Sequence, residues 1–178
     1  MTGVASVVSY IGDYAGQWPE EAETARRYLS LLAHPQAFQR THLPGHITGS
    51  AFIVDTSRQF TLLVHHAKLN RWLQPGGHAD GETDVVNVAL REAREETGVQ
   101  LLTLVYDTIY DLDIHPIPAR ADFPGHDHYD VRYLFMASME EPLVVSEESH
   151  DVRWIPLVEL ERYNDEPSLL RLRAKLAR

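Results

Sequence analysis

Residues 91–99 read Arg-Glu-Ala-Arg-Glu-Glu-Thr-Gly-Val, and the spacing of the glutamates brings chemistry to one place. On a helix Glu92, Glu95 and Glu96 stand at i, i+3 and i+4 and project from one side. Like charges at this spacing destabilise a helix by about 0.2–0.5 kcal/mol per pair. They also fall in the last turn, where the helix dipole disfavours anions. A bound cation reverses both penalties. Oxygen donors suit the hard ions Mg²⁺ or Mn²⁺, and Mg²⁺ commonly combines carboxylates with waters and phosphate oxygens. Arg91 lies four residues before Glu95 and is placed to pair with it, which leaves Glu92 and Glu96 to reach the metal. A solvated charged face is the plain alternative for an isolated Glu-x-x-Glu-Glu. The Gly76-Gly77 loop before the helix and Gly98 after it weigh against that alternative.

The elements that must hold this cluster are visible in the pattern. Between Gly81 and Gly98, Val85, Val86, Val88, Ala89 and Ala93 form an apolar helical stripe. Thr83 or Asp84 can cap its start, and Gly98 suits the position after its end. Ile47 to Asp55 and Phe60 to His66 read as strands joined by a turn at Thr56-Ser57-Arg58. Gln74-Pro75-Gly76-Gly77 reads as a loop. Leu101 to Ile114 carries a long strand signal, His115 to His128 reads as a proline-bearing loop, and Val131 to Met139 as a strand. Val152 to Ile155 is a short strand, with Pro156 opening a helix from Leu157 to Arg162. Residues 19–33 and 167–177 have helical spacing. Strands on both sides of the central helix, with helices at both ends, predict an α/β fold with a mixed sheet covered by helices. Residues 1–44 form a mostly helical extension packed on the same domain, and residues 45–178 the main domain.

Composition narrows the partners. The 178 residues carry a net charge of −10, with 44% hydrophobic residues and no cysteine. One domain with a sizeable core fits this length. The acidic balance argues against nucleic-acid binding, which needs a surplus of Lys and Arg, but not against phosphates bridged by a cation. Without cysteine there are no disulfides and no thiolate sites, which fits a reducing cytoplasm. Neither a signal-peptide pattern nor an apolar run of membrane-spanning length is present. The expectation is a cytoplasmic protein with no membrane partner.

At these residues the sequence resembles the Nudix hydrolase family. The family pattern is a glycine, five residues, a glutamate, seven residues, then Arg-Glu-x-x-Glu-Glu-x-Gly and an apolar residue. Gly77 and Arg91 to Val99 match it residue by residue. The resemblance implies an α/β/α sandwich and hydrolysis of a nucleoside diphosphate linked to another group, with Mg²⁺ or Mn²⁺. It implies Glu92 and Glu96 as main metal ligands. Glu95 would be a third ligand or a group that activates water, with Arg91 as its partner, and a backbone carbonyl near Gly77 would complete the shell. Where the pattern asks for glutamate the chain has Thr83, and Glu82 comes one step early, so Glu82 is expected to take that role through a shifted loop. Beyond the box, the segment from Glu147 to Leu157 resembles the acidic loop, Trp-containing strand and short helix of the family, which makes Glu148 the candidate general base or further metal ligand, ahead of Glu147.

Ten histidines are many for this length. His66, His78 and His128 are expected to contact substrate, and Arg132 or Arg71 to bind a phosphate or base. His126-x-His128-x-Asp130 alternates, so on a strand the three share a face; the sharp reading is a second metal site or histidines that hydrogen-bond substrate phosphates, but the spacing lacks a zinc signature and lone histidines are more often structural. The partner is expected to be a small nucleoside diphosphate derivative. The N-terminal extension covers the cleft or forms a homodimer contact. The competing reading is a non-catalytic Nudix-like module that senses a nucleotide or binds a protein; the intact glutamate cluster disfavours it. A Nudix-fold isopentenyl diphosphate isomerase is set aside, because in the family that chemistry uses a cysteine.

Overall fold

The structure, a computed structural model, describes residues 3–121 and 123–178; Met1 and Thr2 of the helical lead-in and Asp122 of the proline-bearing loop lie outside the described residues. In chain order the elements are α1 (Val4–Gln17), α2 (Ala22–Leu32), β1 (Gly45–Asp55), β2 (Phe60–His66), β3 (Arg71–Leu73), β4 (Gly76–His78), α3 (Val85–Thr97), β5 (Thr103–Leu104), β6 (Asp111–Ile117), β7 (His126–Ala137), β8 (Ser149–Pro156), α4 (Leu160–Tyr163) and α5 (Pro167–Leu176). The strand order is β3-β2-β1-β7-β5, with β4 on β1, β6 on β7 and β8 on β2. This is the expected α/β class, a mixed sheet with flanking helices and helices at the N-terminus. The chain divides into two compact units. The first is Met1–Ser50, Gly77–Ala89 and Tyr106–Tyr133; the second is Ala51–Gly76, Leu90–Val105 and Leu134–Arg178.

In the first unit α1 and α2 pack on each other, and α2 packs on β6. Tyr14 and Tyr28 are the buried anchors of these helices. The Tyr28 hydroxyl lies 2.8 Å from the carbonyl oxygens of both Asp113 and Asp130 and shares its proton between them. Gly49 of β1 lets the start of α3 approach closely, since a Cβ there would stand 2.9 Å from a Val85 methyl and 3.0 Å from the Val85 carbonyl oxygen. The stripe holds as expected at Val85, Val88, Ala89 and Ala93, all buried, while Val86 is only half-buried.

In the second unit β2 pairs antiparallel with β1, β3 and β8. The predicted turn after β1 is built on Asp55. Its carboxylate accepts the N–H groups of Ser57, Gln59 and Phe60, each at 2.8 Å, and the Ser57 hydroxyl at 2.5 Å. Burial opposes the Asp55 charge, but these donors prevail and hold the carboxyl below its ordinary range. The end of α3 closes as the pattern predicts. Gly98 has φ 78°, its N–H returns to the Arg94 carbonyl at 2.9 Å, and the Val144 N–H donates to the Thr97 carbonyl at 2.8 Å.

Three expectations are corrected. The Gln74–Gly77 loop gives way at Gly76 to the short strand β4, because a pair of glycines can pass close to β1 and the Pro75 carbonyl accepts the Ala51 N–H at 2.9 Å. The long strand from Leu101 to Ile114 is broken. Val105 bonds to Leu134 and Tyr110 to Arg132, so a longer stretch faces a shorter one and the residues between loop out, leaving Tyr106 exposed. The His115–His128 loop is shorter than read, since β6 runs to Ile117 and β7 starts at His126. Pro116 sits opposite Asp127; among the described residues β6 pairs only with β7, and a strand with one unpaired edge tolerates a residue that lacks an N–H.

Candidate metal and active site

The glutamates of α3 lie in the second unit with Gly76 and Glu148. Glu96 accepts the Gly76 N–H at 2.9 Å. Burial pushes its carboxyl up to about 8; nearby Glu92, Glu148 and Glu95 add to the rise and the Gly76 bond opposes it. Burial also raises Glu92; Arg91 opposes the rise, while Glu95 and Glu148 reinforce it. Four carboxylates therefore feel one another, and the two facing inward are those read as ligands. Arg91 pairs with Glu95 at 3.5 Å, as its spacing predicts, and its guanidinium bonds Glu92 more closely, at 2.6 Å. The reason is depth. The Glu95 side chain is 61% exposed and that of Glu92 16%, so the partly desolvated carboxylate attracts the cation more strongly.

His66 lies on the same unit, at the end of β2. Its Nδ1 accepts the N–H groups of Lys68 and Leu69 at 3.2 and 3.3 Å, which fixes the ring. The Glu148 carbonyl accepts the Ala67 N–H at 2.8 Å, so the acidic loop is tied to the turn after His66. Arg71, which is exposed, pairs with the surface acid Glu166 at 2.5 Å. His65 stacks on Trp72 with centroids 4.9 Å apart.

The first unit places the other expected residues. The loop after β4 turns tightly at Asp80-Gly81, both at positive φ, 50° and 91°, and the Glu82 N–H bonds the Ala79 carbonyl at 2.9 Å. This is the hairpin-type turn that an Asp-Gly pair favours. It accounts for the missing residue before Glu82. The Glu82 carboxylate accepts the Asp84 N–H at 2.8 Å, at the start of α3, where an anion is favoured.

Arg132 is corrected. It is 5% exposed, and its guanidinium meets Asp130 at 2.9 Å, Asp113 at 3.1 Å and Asp111 at 3.2 Å. Asp130 also accepts the hydroxyls of Thr48 and Ser50 at 3.0 and 2.7 Å. The β6–β7 register sets Asp111 opposite Arg132 and Asp113 opposite Asp130. This arginine is committed to buried carboxylates and is not turned toward a substrate.

His78 and His128 face each other with ring centroids 5.0 Å apart, and both face His46, at 5.2 and 5.0 Å. Burial lowers all three imidazoles. His128 falls to about 2, helped by repulsion from His78 and His115, and His78 to about 4, helped by Arg40 and His46. His46 was not among the expected site residues. No local period marks it; it is one polar residue at the start of an apolar strand, and its neighbours come from distant segments.

The donor set of the second unit is wholly oxygen: the carboxylates of Glu92, Glu96, Glu95 and Glu148. The inward pair, Glu92 and Glu96, partly buried and held protonated above the ordinary range, fits a hard divalent cation. Among the described residues no helix is long and apolar enough to cross a membrane.

The chain was compared with known proteins. The sequence model of the NUDIX domain matches residues 45–176. No curated protein sequence matches the chain. Among solved structures, an Ap4A hydrolase from C. elegans in a binary complex is similar at 19% identity and a TM-score of 0.60, over 74% of this chain and 94% of that one. A NUDIX-family hydrolase from Clostridium perfringens is similar at 23% identity and a TM-score of 0.57, over 74% and 96%. The dihydroneopterin triphosphate pyrophosphohydrolase of E. coli aligns at 12% identity and a TM-score of 0.54, over 72% and 91%. The match to the NUDIX domain spans the strands and the glutamate-bearing helix just described, and by it the chain belongs to the Nudix family of pyrophosphohydrolases.

Proposed function

We propose that the protein hydrolyses the phosphoanhydride bond of a nucleoside diphosphate linked to another group, with Mg²⁺ or Mn²⁺ at the carboxylates of α3. The observation that carries this reading is the Glu92–Glu96 pair, drawn inward with Glu95 and Glu148 close enough to raise both. Glu92 and Glu96 would hold the ion. Bound there, a divalent ion neutralises phosphate charge and lowers the pKa of a water.

The chain's own groups do the rest. Arg91 holds Glu92 in place through its 2.6 Å bond. The Gly76 N–H occupies one oxygen of Glu96 and leaves the other for the cation. A carboxylate outside the ion's shell, Glu148 or Glu95, takes the proton of the attacking water. Both are exposed, so each can pass the proton on to solvent. His66, in the same unit as these carboxylates, is the histidine this reading keeps for substrate contact. The cysteine-free composition supports a cytoplasmic location.

The test is a hydrolysis screen with each metal. Its substrates span dinucleoside polyphosphates such as Ap4A, dihydroneopterin triphosphate, oxidised nucleoside triphosphates, sugar nucleotides and coenzymes. Turnover of at least one class, abolished by a chelator, is expected. Nucleotide binding without turnover across the whole screen would favour a non-catalytic sensing module.

A further inference from the structure

Three histidines of the first unit bring ligand atoms together in a way the carboxylate site does not use. His46 is on β1, His78 on β4 and His128 on β7. One ring nitrogen from each lies within 4.8 Å of the other two.

His46 is the informative member. It is 1% exposed. Its Nδ1 lies 3.3 Å from the His42 carbonyl, an oxygen that can only accept, so Nδ1 carries the hydrogen. Nε2 is then the lone-pair nitrogen. It is buried and has no hydrogen-bond partner among the described residues. A buried polar atom left unsatisfied is costly, and this one belongs to the side chain that most commonly ligates metals.

The surroundings have the form of an outer shell. Metal-bound imidazoles commonly donate their second nitrogen to a backbone carbonyl or carboxylate, which fixes the tautomer; His46 does so to His42. His126, stacked on His46 at 4.9 Å, is oriented the same way by the Pro124 carbonyl at 3.0 Å. Its Nε2 lies 3.4 Å from His128 Nε2. A proton shared there would satisfy that pair but not His46.

We propose that His46, His78 and His128 form a tris-imidazole site for a zinc-class divalent cation, separate in donor chemistry from the carboxylate site. Three neutral nitrogen donors select Zn²⁺, Co²⁺ or a similar ion over Mg²⁺ and Mn²⁺, which prefer oxygen. Three protein ligands leave a fourth position for water or an anionic oxygen. The assignment does not depend on the hydrolase reading.

The test uses the full-length protein, stripped with chelator and titrated with Co²⁺ in saturating Mg²⁺. Visible d–d absorption reports imidazole coordination, and metal analysis gives the stoichiometry. The expected result is one Co²⁺ per chain, displaced by Zn²⁺ and weakened about a hundredfold by His128→Gln and by His78→Gln. A Glu92→Gln, Glu96→Gln double variant should keep the spectrum. His46 is too buried for a safe variant, so the two half-buried histidines carry the test, with circular dichroism showing that each variant folds. Folded variants that bind Co²⁺ like wild type would overturn the proposal, as would absorption lost only in the glutamate variant or no Co²⁺ binding.

Discussion

Glu96 accepts the backbone N–H of Gly76 at 2.9 Å, which ties the helix bearing the glutamates to the first residue of β4. One bond thus orients a carboxylate that its neighbours repel. Burial and the surrounding glutamates hold this carboxyl up to about 8, so Glu96 is the most strongly raised acid of the cluster.

Glu96→Gln keeps the shape and the Gly76 bond but cannot carry charge. Turnover in the screen should fall about a hundredfold or more. Stability should move the other way. In the unfolded chain a glutamate loses its proton near 4.5, whereas in the fold Glu96 keeps it to about 8. Between those values the folded chain holds the extra proton, so the stability of metal-free protein falls as pH rises across that window. Melting in chelator at pH 5 and pH 8 should show the wild type losing several degrees more than Glu96→Gln. Equal losses would remove Glu96 as the perturbed group.

Arg132→Leu should be among the most destabilising single changes in the first unit. It leaves buried Asp111 and Asp130 and partly buried Asp113 together without their cation. Breaking a buried ion pair from one side costs about 3–5 kcal/mol, a fall of about 10 °C in Tm for a chain of this size. Arg132→Lys should recover only part of it, since one ammonium cannot span three carboxylates as a planar guanidinium does. Denaturant unfolding measures both.

Asp55→Ala should lower stability by about 2 kcal/mol, because N–H groups of the turn after β1 lose their acceptor. The pH dependence has a definite sign. The folded carboxyl lies below the ordinary 3.8, so its stabilisation is complete above that value and is lost as pH falls through the lower, folded one. The difference between wild type and Asp55→Ala should therefore shrink in acid. A difference that stays constant to pH 2 would deny the charge a role.

Gly98→Ala and Gly12→Ala should have opposite effects. At Gly98 φ is 78°, and a Cβ would stand 2.7 Å from the Val144 side chain and 2.9 Å from its backbone nitrogen. A loss of about 1–3 kcal/mol is expected. Gly12 lies inside α1 with nothing within 4 Å of an added Cβ, so alanine there should stabilise by about 0.5–1 kcal/mol. Paired thermal melts decide it.

What the sequence determined by itself is what a single element can encode. The helical repeat puts Glu92, Glu95 and Glu96 on one side wherever that helix docks, and Gly98 marks its end because few other residues accept a positive φ. The turn at Thr56-Ser57-Arg58 was equally local. The extent of β6 was not legible, because whether Pro116 ends a strand depends on which edge is paired. Arg91 showed the same limit: helical spacing offered Glu95, and differential burial added the closer bond to Glu92. Arg132 could not be read as structural from its own neighbourhood, since only the β6–β7 register sets aspartates around it, and a one-residue slip would turn it to the other face. The tertiary structure alone decided the meeting of His46, His78 and His128. They come from three strands far apart in the chain, and strand pairing, not any local period, brings their ring nitrogens together.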